Sequence, residues 1–260
     1  MRLGIAGVGG RMGLLLASEA IDAGHAIAGG TMRPGSDKAP PAGIVVLADL
    51  AALAAESDVI IDFTNAATAP SHALILADAS TAWVLGTSGL SASNEATVAQ
   101  AATRIPIVYA PNFAPGVTLV LALAEQLAAA LPADAYDAEI VEMHHRQKVD
   151  APSGTAVGLG RAVARGRGVR LDDVMVSGRD GQTGARPPGA IGFSAMRGGQ
   201  VVGEHTLLFA AGSEHIALTH RAFDRRVFAA GAIRAAGWVA GRPPGLYSMR
   251  DVLGFQAALT

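Results

Sequence analysis

One polar segment, residues 142–155, combines side chains that can carry charge or move protons. Two histidines, an arginine and a lysine occur between residues 144 and 148. Downstream, Ser153-Gly154-Thr155 is expected to open a helix, whose unpaired first-turn N–H groups can hold a carboxylate. This spacing suits a site that binds a small, multiply anionic substrate and exchanges a proton with it. The whole segment is Glu142-Met143-His144-His145-Arg146-Gln147-Lys148-Val149-Asp150-Ala151-Pro152-Ser153-Gly154-Thr155.

The two adjacent histidines of this segment are predicted to have separate roles. Successive side chains of a strand point to opposite faces, so His144 and His145 are not expected to chelate one metal ion together. The alternative for a single histidine is a hydrogen-bonded structural group, but the nearby Lys148 and helix start favour a functional role here. No cysteine is present, which excludes thiolate metal sites, and no metal is predicted. The structural interpretation is kept for the scattered histidines, His25, His72, His205, His215 and His220.

A glycine cluster where the first strand would turn into a helix forms a second candidate site. Its sequence is Gly7-Val8-Gly9-Gly10-Arg11-Met12-Gly13. Glycines there let the backbone turn tightly and let a pyrophosphate approach the amides at the positive end of a helix. Met12 breaks the strict G-x-G-x-x-G pattern, although glycines recur at every third position. A simple strand-to-helix turn is the alternative, and the position after the first strand favours nucleotide binding.

The end of the second predicted strand indicates which nicotinamide cofactor would bind. An enzyme that prefers NAD places a carboxylate there on the ribose hydroxyls, whereas this chain has Thr31-Met32-Arg33. Arg33 could bind a 2'-phosphate, which favours NADPH over NADH; the alternative is an exposed loop cation. A further set, Gly86-Thr87-Ser88-Gly89, follows another predicted strand and is expected to line the nicotinamide side of the site.

The overall composition limits the kinds of partner. The chain has 260 residues, half of them apolar, and a formal net charge of -2. It can bury a sizeable core, and neither nucleic acid nor an anionic membrane is an expected partner. Arg11 interrupts the N-terminal apolar patch, and Glu125 and Gln126 interrupt the longest apolar stretch, Val117–Leu131. A cytoplasmic protein without membrane spans is therefore expected.

Residues 1 to about 112 alternate short apolar runs with Ala- and Leu-rich segments of helical period. This alternation predicts strand-helix-strand units on a doubly wound parallel sheet, with Asp49 and Ser93 as helix caps. The predicted strands are Leu3–Ala6, Ala26–Gly29, Ile44–Val46, Val59–Phe63, Trp83–Leu85 and Ile107–Tyr109. The predicted helices are Arg11–Ala23, Leu50–Glu56, Pro70–Ala79 and Glu95–Thr103.

After Asn112 the pattern changes to that of a mixed α+β domain. The Gly-, Pro- and Arg-rich stretch Ser177–Gly189 is interpreted as a mobile surface loop. The segment after residue 223 is expected to pack back onto the first domain. The predicted elements are a helix near Val117–Leu131, strand Ala138–Met143, a helix from Thr155, strand Ala190–Met196, a hairpin of His205–Ala210 and His215–His220, and a helix from Asp224 to Trp238.

The segment from Glu142 to Thr155 resembles the signature of the dihydrodipicolinate reductase family, E-x-H-H-x-x-K-x-D-x-P-S-G-T. The resemblance implies a Rossmann-type domain of residues 1–112 and 223–260, a central substrate-binding and tetramerisation domain of residues 113–222, and a homotetramer. Similar blocks follow in order along almost the whole chain: the glycine cluster, Ile61-Asp62-Phe63-Thr64, Gly86-Thr87-Ser88-Gly89, Asn112-Phe113, Gly203-Glu204-His205-Thr206 and Met249-Arg250-Asp251-Val252-Leu253.

The same resemblance implies a reaction and its residues. The reaction is reduction of 4-hydroxy-tetrahydrodipicolinate, a small dicarboxylate, to tetrahydrodipicolinate with NAD(P)H in lysine and diaminopimelate biosynthesis. His144 and Lys148 would handle the proton. Substrate contacts would be His145, Ser153, Gly154 and Thr155. Cofactor contacts would be Gly7, Val8, Gly9, Gly10, Arg11, Met12, Arg33, Gly86, Thr87, Ser88, Ala110, Pro111, Asn112 and Phe113.

Cofactor choice and two other functions stay open at the level of sequence. Family members that use both cofactors often carry an acidic residue where this chain has Met32, so NADPH is the expected preference, with NADH as the alternative. The glycine loop alone also fits another two-domain nicotinamide enzyme, such as an amino-acid dehydrogenase acting on aspartate. A nucleotide-sensing protein without turnover is the non-enzymatic alternative. The His144 to Thr155 block argues against both.

Overall fold

The computed structural model describes residues 1–255 except 34, 37 and 40. The chain divides into two compact units, one made of Met1–Pro115 with Arg225–Thr260 and the other of Gly116–Asp224. These limits lie within three residues of the predicted domain boundaries. Residues 256–260 of the predicted first domain lie outside the described residues. The functions assigned to the two domains stay predictions.

The described elements are eleven strands and nine helices. The strands are β1 (Arg2–Ala6), β2 (Ala26–Gly30), β3 (Val59–Asp62), β4 (Ala82–Leu85), β5 (Pro106–Tyr109), β6 (Asp137–His144), β7 (Met175–Ser177), β8 (Ile191–Arg197), β9 (Gly203–Ala210), β10 (His215–Ala222) and β11 (Gly245–Tyr247). The helices are α1 (Arg11–Asp22), α2 (Leu50–Ala55), α3 (Ala69–Asp78), α4 (Ala92–Ala101), α5 (Pro115–Ala130), α6 (Gly154–Gly166), α7 (Leu171–Val174), α8 (Arg226–Val239) and α9 (Met249–Leu253). None of the described helices is both long and apolar enough to span a bilayer.

The first unit is a six-stranded parallel sheet in the order β11-β5-β4-β3-β1-β2, with helices on both faces. Alternate residues of each strand enter different cores: Ile61 and Val84 pack with α1 and α8, whereas Ile60 and Trp83 pack with α2, α3 and α4. Strands buried on both faces are apolar throughout, which explains the short continuous runs in the sequence. The predicted doubly wound α/β fold is confirmed.

The C-terminal segment completes this unit. Strand β11 pairs in parallel with β5, and α8 packs against α1 and the strands β3, β4 and β5. Helix α9 begins with a Ser248–Asp251 capping box and ends at Gly254, whose φ of 66° suits the left-handed cap conformation. The prediction that the chain returns to its first domain is therefore confirmed.

Two local predictions in this unit were wrong. Residues Ile44–Val46 form no strand and contribute one isolated bridge, from Val46 to Gly30. Val45 and Val46 are 66% and 39% exposed, and only Ile44 of this run packs against the core, so too little of it is buried to stabilise a strand. Helix α4 is capped by Ser91, which accepts a hydrogen bond from the Asn94 amide at 3.3 Å, and Ser93 lies inside the first turn. The cap at Asp49 is confirmed by its 2.8 Å bond from the Ala52 amide.

The second unit is a five-stranded mixed sheet in the order β10-β9-β6-β8-β7. Its central strand β6 pairs in parallel with β8 and antiparallel with β9, and the predicted hairpin of β9 and β10 is confirmed. Helix α6 packs on β6, β8 and β9, and α5 adds apolar residues to the same core. The short elements β7 and α7 were not predicted.

The arginine-rich loop after β7 is tied to the start of β6, the central strand of this sheet. Arg179 donates to both carboxylate oxygens of Glu139 on β6, at 2.9 and 3.0 Å. Arg186 donates to Glu139 and Asp137, both at 2.7 Å, and to the carbonyls of Ala138 and Ala190. The loop begins one residue later than predicted, because Ser177 ends β7.

Candidate active site

The glycine cluster forms the turn from β1 into α1. Gly7 has φ of +72°, and the Gly10 amide donates to the Gly7 carbonyl at 2.9 Å. Gly10 is the N-cap of α1 and provides no side-chain hydrogen bond to the first turn. The amides of Arg11 and Met12 at this turn are therefore available to an anion at the positive end of the helix.

Gly13 explains why the motif tolerates Met12. A Cβ atom at Gly13 would lie 2.4 Å from the Gly7 carbonyl oxygen and 2.6 Å from Val8 Cα. The close approach of helix and loop therefore depends on Gly13, one position beyond the usual last glycine of the pattern. The loop is held to the next strand as well, because the Val8 amide donates to the Thr31 carbonyl at 2.9 Å.

A cavity of about 490 Å³ lies beside this turn in the first unit. Three of its lining residues are glycines of the cluster, and Arg33 and Lys38 add two positive charges. The described lining contains no carboxylate. Lys38 was not anticipated from the sequence. The other lining residues are Thr31, Met32, Gly35, Ser36, Phe63, Thr64, Asn65, Thr68 and His72.

Asp62, a buried carboxylate at the end of β3, forms hydrogen bonds with two residues that line the cavity, Thr64 and His72. Its Oδ1 accepts from the amide and the hydroxyl of Thr64, at 2.9 and 2.6 Å, and its Oδ2 lies 2.6 Å from Nδ1 of His72. His72 is thus a hydrogen-bonded structural histidine, as predicted, and it also lines the cavity. This network accounts for the Ile61–Thr64 block noted in the sequence.

The segments after β4 and β5 approach the same edge of the sheet but do not line the described cavity. Gly86 must be glycine, because a Cβ atom there would lie 2.1 Å from the Phe63 ring. Thr87 is buried, and its Oγ1 has no hydrogen-bond partner among the described residues. After β5, Ala110 is buried, Asn112 Oδ1 accepts from the Ala114 amide at 2.8 Å, and the Phe113 and Phe63 ring centroids are 5.3 Å apart.

In the second unit, Glu142 is a buried carboxylate that receives four hydrogen bonds. Arg197 donates to both of its oxygens at 2.8 Å, His144 Nδ1 lies 2.6 Å from Oε2, and the Ser153 amide donates to Oε1 at 3.0 Å. Burial alone would raise the pKa of Glu142. The hydrogen bonds from Arg197, His144 and the Ser153 amide outweigh burial and lower that pKa below its ordinary value. Glu142 is therefore ionised at neutral pH.

His144 shares this side of the sheet because residues alternate along β6. Glu142 and His144 are buried, while Val141 and Met143 point to the other face. An ionised Glu142 only accepts hydrogen bonds, so His144 carries its hydrogen on Nδ1 and exposes a lone pair on Nε2. Burial lowers the pKa of His144 against the opposing effect of Glu142, so its imidazole is neutral at pH 7. His144 is thus set to accept a hydrogen bond at Nε2.

Lys148 lies in the loop after β6, and its ammonium is paired with Asp150. Nζ donates to Oδ1 at 2.8 Å and to Oδ2 at 2.9 Å. The hydrogen bond from Lys148 lowers the pKa of Asp150. The positive charge of Lys148 also contributes to the lowered pKa of His144, which places the two groups within electrostatic reach. His145 follows the strand end, and its amide donates to the Val201 carbonyl at 2.8 Å.

The start of helix α6 is capped by Ser153, whose Oγ accepts from the Ala156 amide at 3.2 Å. The amides of Gly154 and Thr155 belong to this first turn. A Cβ atom added at Gly154 would meet no described atom within 4 Å, so there is open space beside the helix start. The structure therefore brings the predicted anion-binding turn and the predicted proton-handling residues together within one unit.

His205 joins this cluster from strand β9. Its Nε2 lies 3.0 Å from Ser153 Oγ, and its ring packs edge-on against His144 with centroids 5.0 Å apart. Burial and the neighbouring His144 lower the pKa of His205 to about 4. His205 is therefore a neutral ring that supports both the helix cap and His144.

Two domain descriptions match almost the whole chain. Residues 1–113 match "Dihydrodipicolinate reductase, N-terminus", and residues 116–253 match "Dihydrodipicolinate reductase, C-terminus". The chain belongs to the dihydrodipicolinate reductase family. Two relatives named 4-hydroxy-tetrahydrodipicolinate reductase, from Granulibacter bethesdensis and Acidiphilium cryptum, are 66% and 60% identical to it. Each alignment covers 98% of this chain and 98% of the relative.

Solved structures show the same fold for this member of the dihydrodipicolinate reductase family. The dipicolinate-bound dihydrodipicolinate reductase from Paenisporosarcina sp. TG-14 has a TM-score of 0.78 at 23% identity, covering 96% of this chain and 98% of that chain. A probable dehydrogenase from Thermotoga maritima has a TM-score of 0.61 at 10% identity, covering 97% and 92% of the two chains. At such identities the likeness establishes the fold alone.

Sequence reasoning missed three residues of the cluster in this dihydrodipicolinate reductase family member. Glu142 was noted as part of the signature, but no role was assigned to it. His205 was interpreted as a structural histidine, and its contacts with Ser153 and His144 are of that kind, but its place in this cluster was not predicted, although its block, Gly203–Thr206, was among those that carried the resemblance. No nearby sequence pattern indicated a role for Arg197, because it lies 55 residues from the carboxylate that it contacts.

Proposed function

We propose that this chain reduces 4-hydroxy-tetrahydrodipicolinate to tetrahydrodipicolinate with NADPH, in lysine and diaminopimelate biosynthesis. The observation that carries the proposal is the cluster of Glu142, neutral His144, Lys148 and the Ser153-capped helix start, assembled in a chain 66% identical to a relative named for this reaction. Such a cluster combines an anion-binding turn with two proton-handling groups, which the reduction of a dicarboxylate requires.

The first unit would hold the cofactor. The α1 turn would receive the pyrophosphate, and the segments at Gly86–Ser88 and Ala110–Phe113 would lie toward the nicotinamide. The preference for NADPH is supported by Arg33 and Lys38 beside the cavity, since two cations attract a 2'-phosphate and the described lining has no carboxylate to repel it. When bound, the reduced nicotinamide supplies the hydride.

The protein's own chemistry would be the delivery of a proton to the reduced ring. Lys148, whose ammonium pairs with Asp150, is the proton donor. His144 presents an unprotonated Nε2, so it accepts a hydrogen bond and orients the donor instead of supplying the proton itself. Substrate would replace Asp150 as the partner of the Lys148 ammonium, because both are carboxylates and Asp150 is largely exposed.

The carboxylates of the substrate would bind around the start of α6. The amides of Gly154 and Thr155 lie in the first turn and point out of the helix at its positive end. The open space beside Gly154 leaves room for a ligand there. Ser153 caps this turn, and His145 is the remaining proposed substrate contact. A small dicarboxylate is thus held by donors that belong to one unit.

The experiment that tests the function follows NADPH absorbance with the purified chain. Substrate is generated in place from pyruvate and aspartate semialdehyde by the preceding pathway enzyme, and NADH is run in parallel. We expect substrate-dependent oxidation that is faster with NADPH at equal concentration. Binding of both cofactors with oxidation of neither would reject the reaction, and a faster rate with NADH would reject the cofactor preference alone.

A homotetramer is proposed for the assembled protein on the resemblance to the family. The face of the second sheet opposite α6 supports it, because Val141 and Met196 are 37% and 49% exposed there. Light scattering of the purified chain measures the mass directly. A mass equal to one chain would contradict the assembly.

A further inference from the structure

One guanidinium, that of Arg197, contacts both the strand that carries His144 and the loop that carries Lys148. Arg197 ends β8, beside the end of β6. Its Nη1 and Nη2 each donate to a different oxygen of Glu142 at 2.8 Å, and Nη2 also donates to the Asp150 carbonyl at 2.6 Å. A planar fork of donors satisfies these acceptors in one fixed geometry, which a lysine ammonium would not reproduce.

The path to His144 runs through Glu142. Because the Glu142 carboxylate is ionised, it accepts the hydrogen on Nδ1 and leaves Nε2 with a lone pair. Removing Arg197 takes away two of the four bonds that keep this buried carboxylate ionised. A protonated Glu142 would donate to Nδ1, and the imidazole hydrogen would then sit on Nε2.

The path to Lys148 runs through the backbone at Asp150. The carbonyl of Asp150 is held by Arg197, and its carboxylate accepts two hydrogen bonds from Lys148 Nζ. The position of Asp150 in the loop therefore determines where the Lys148 ammonium lies in the absence of substrate. Arg197 thus contacts both the residue that orients His144 and the residue that holds Lys148.

We propose that Arg197 is a positioning residue of the proton-transfer site, which sets the tautomer of His144 through Glu142 and the location of Lys148 through the Asp150 carbonyl. This inference rests on the proposed reductase function. It assigns Arg197 a role in the reaction without contact with the substrate.

The test compares Arg197→Gln with Arg179→Gln as a matched control. Arg179 makes the same two-oxygen contact with a glutamate of the same strand, Glu139, but touches neither His144 nor Lys148. We expect Arg197→Gln to lower kcat by about 10²-fold, the usual effect of misplacing a reacting group by ~1 Å, with unchanged NADPH affinity. We expect Arg179→Gln to retain the wild-type kcat.

Two further readouts separate positioning from general destabilisation. In protein labelled with ¹⁵N-histidine, the His144 signals should report hydrogen on Nδ1 in the wild type and partly on Nε2 in Arg197→Gln. The acid limb of the kcat profile should move to lower pH in Arg197→Gln, because a protonated Glu142 no longer raises the pKa of His144, and Glu142 acts on that pKa more strongly than the Arg197 charge does. Arg197→Lys, which keeps a positive charge beside Glu142, should lose kcat without this shift.

Two results would overturn the inference: hydrogen on Nε2 of His144 in the wild type, or equal loss of kcat in the Arg197 and Arg179 variants. The tautomer measurement needs no turnover. A wild-type chain with the expected tautomer and no reductase activity would therefore reject the proposed function, not the geometry assigned to Arg197.

Discussion

Ser153 Oγ lies 3.0 Å from Nε2 of His205 and also accepts a hydrogen bond from the Ala156 amide. One hydroxyl thus connects the cap of α6 to a histidine 52 residues further along the chain. Because both residues are buried, loss of the Ser153 hydroxyl removes the hydrogen-bond partner of both the His205 Nε2 and the Ala156 amide. The helix start that is proposed to bind substrate is therefore coupled to the packing of β9.

Ser153→Ala should lower stability and weaken substrate binding together. Loss of the cap costs about 1 kcal/mol, and the His205 nitrogen left unpaired in the interior adds to that cost. Ser91→Ala is the matched control, since Ser91 caps α4 in the first unit by the same type of bond. Urea denaturation and KM for the substrate are the measurements. A raised KM in the Ser91 variant would show that the effect is not specific to α6.

Lys148→Ala should lower kcat by about 10²–10⁴-fold with nearly unchanged NADPH affinity, as expected for the loss of a general acid. Lys148→Arg is the sharper variant. It keeps the positive charge and a partner for Asp150, but a guanidinium does not give up its proton at neutral pH. We expect no recovery of kcat in Lys148→Arg; recovery would show that Lys148 acts through charge alone. Steady-state kinetics and cofactor titration decide between the two roles.

Arg33→Ala should weaken NADPH binding by about 1.5–3 kcal/mol, the range for a lost charge-assisted hydrogen bond. NADH lacks the 2'-phosphate and serves as the control ligand for the same variant. Isothermal titration with both cofactors measures the difference. Equal weakening of the two would place Arg33 outside the 2'-phosphate site, and Lys38→Ala would then become the variant to titrate.

Stability should fall as the pH drops from about 6.5 to about 4. Burial holds the pKa of His205 in the folded chain at about 4, below its ordinary value of 6.5. Within this window the unfolded state binds a proton that the folded state does not, so protonation favours unfolding. Above about 6.5 neither state is protonated at this ring, and its contribution to stability is fully present. Across the window the loss from His205 is on the order of 3 kcal/mol.

Urea denaturation at pH 7 and pH 5 measures this dependence. His205→Gln should flatten it, because glutamine keeps a donor near Ser153 but has no group that titrates in this range. An unchanged slope in the variant would assign the pH dependence to other groups. His144 and His220, whose pKa values burial also lowers, are the nearest such groups.

Local patterns in the sequence were sufficient for most of the fold. The continuous apolar runs predicted β1, β3, β4 and β5, because strands covered on both faces carry no polar alternation. Ile44–Val46 has the same composition, but no helix covers Val45, which is 66% exposed. Composition alone does not reveal whether another element of the fold covers a segment, and the prediction of a strand at Ile44–Val46 failed for that reason.

Local patterns also predicted only part of the candidate site. His144, Lys148 and Ser153 lie within ten residues of one another, so their types and spacing marked the site. The carboxylate that orients His144 depends on Arg197, and their contact follows from the pairing of β6 with β8. No local spacing encodes the register between two strands separated by about 50 residues.

The alternation of β6 makes this strand intolerant of small insertions and deletions. Ala138, Ile140, Glu142 and His144 all face the covered side, and both neighbours of the strand hold its register. One added or missing residue before Glu142 would turn the carboxylate and the imidazole to the opposite face, even if the sheet still formed. Length changes among related chains are therefore expected in surface loops, and the eight-residue length of β6 should stay constant wherever the activity is kept.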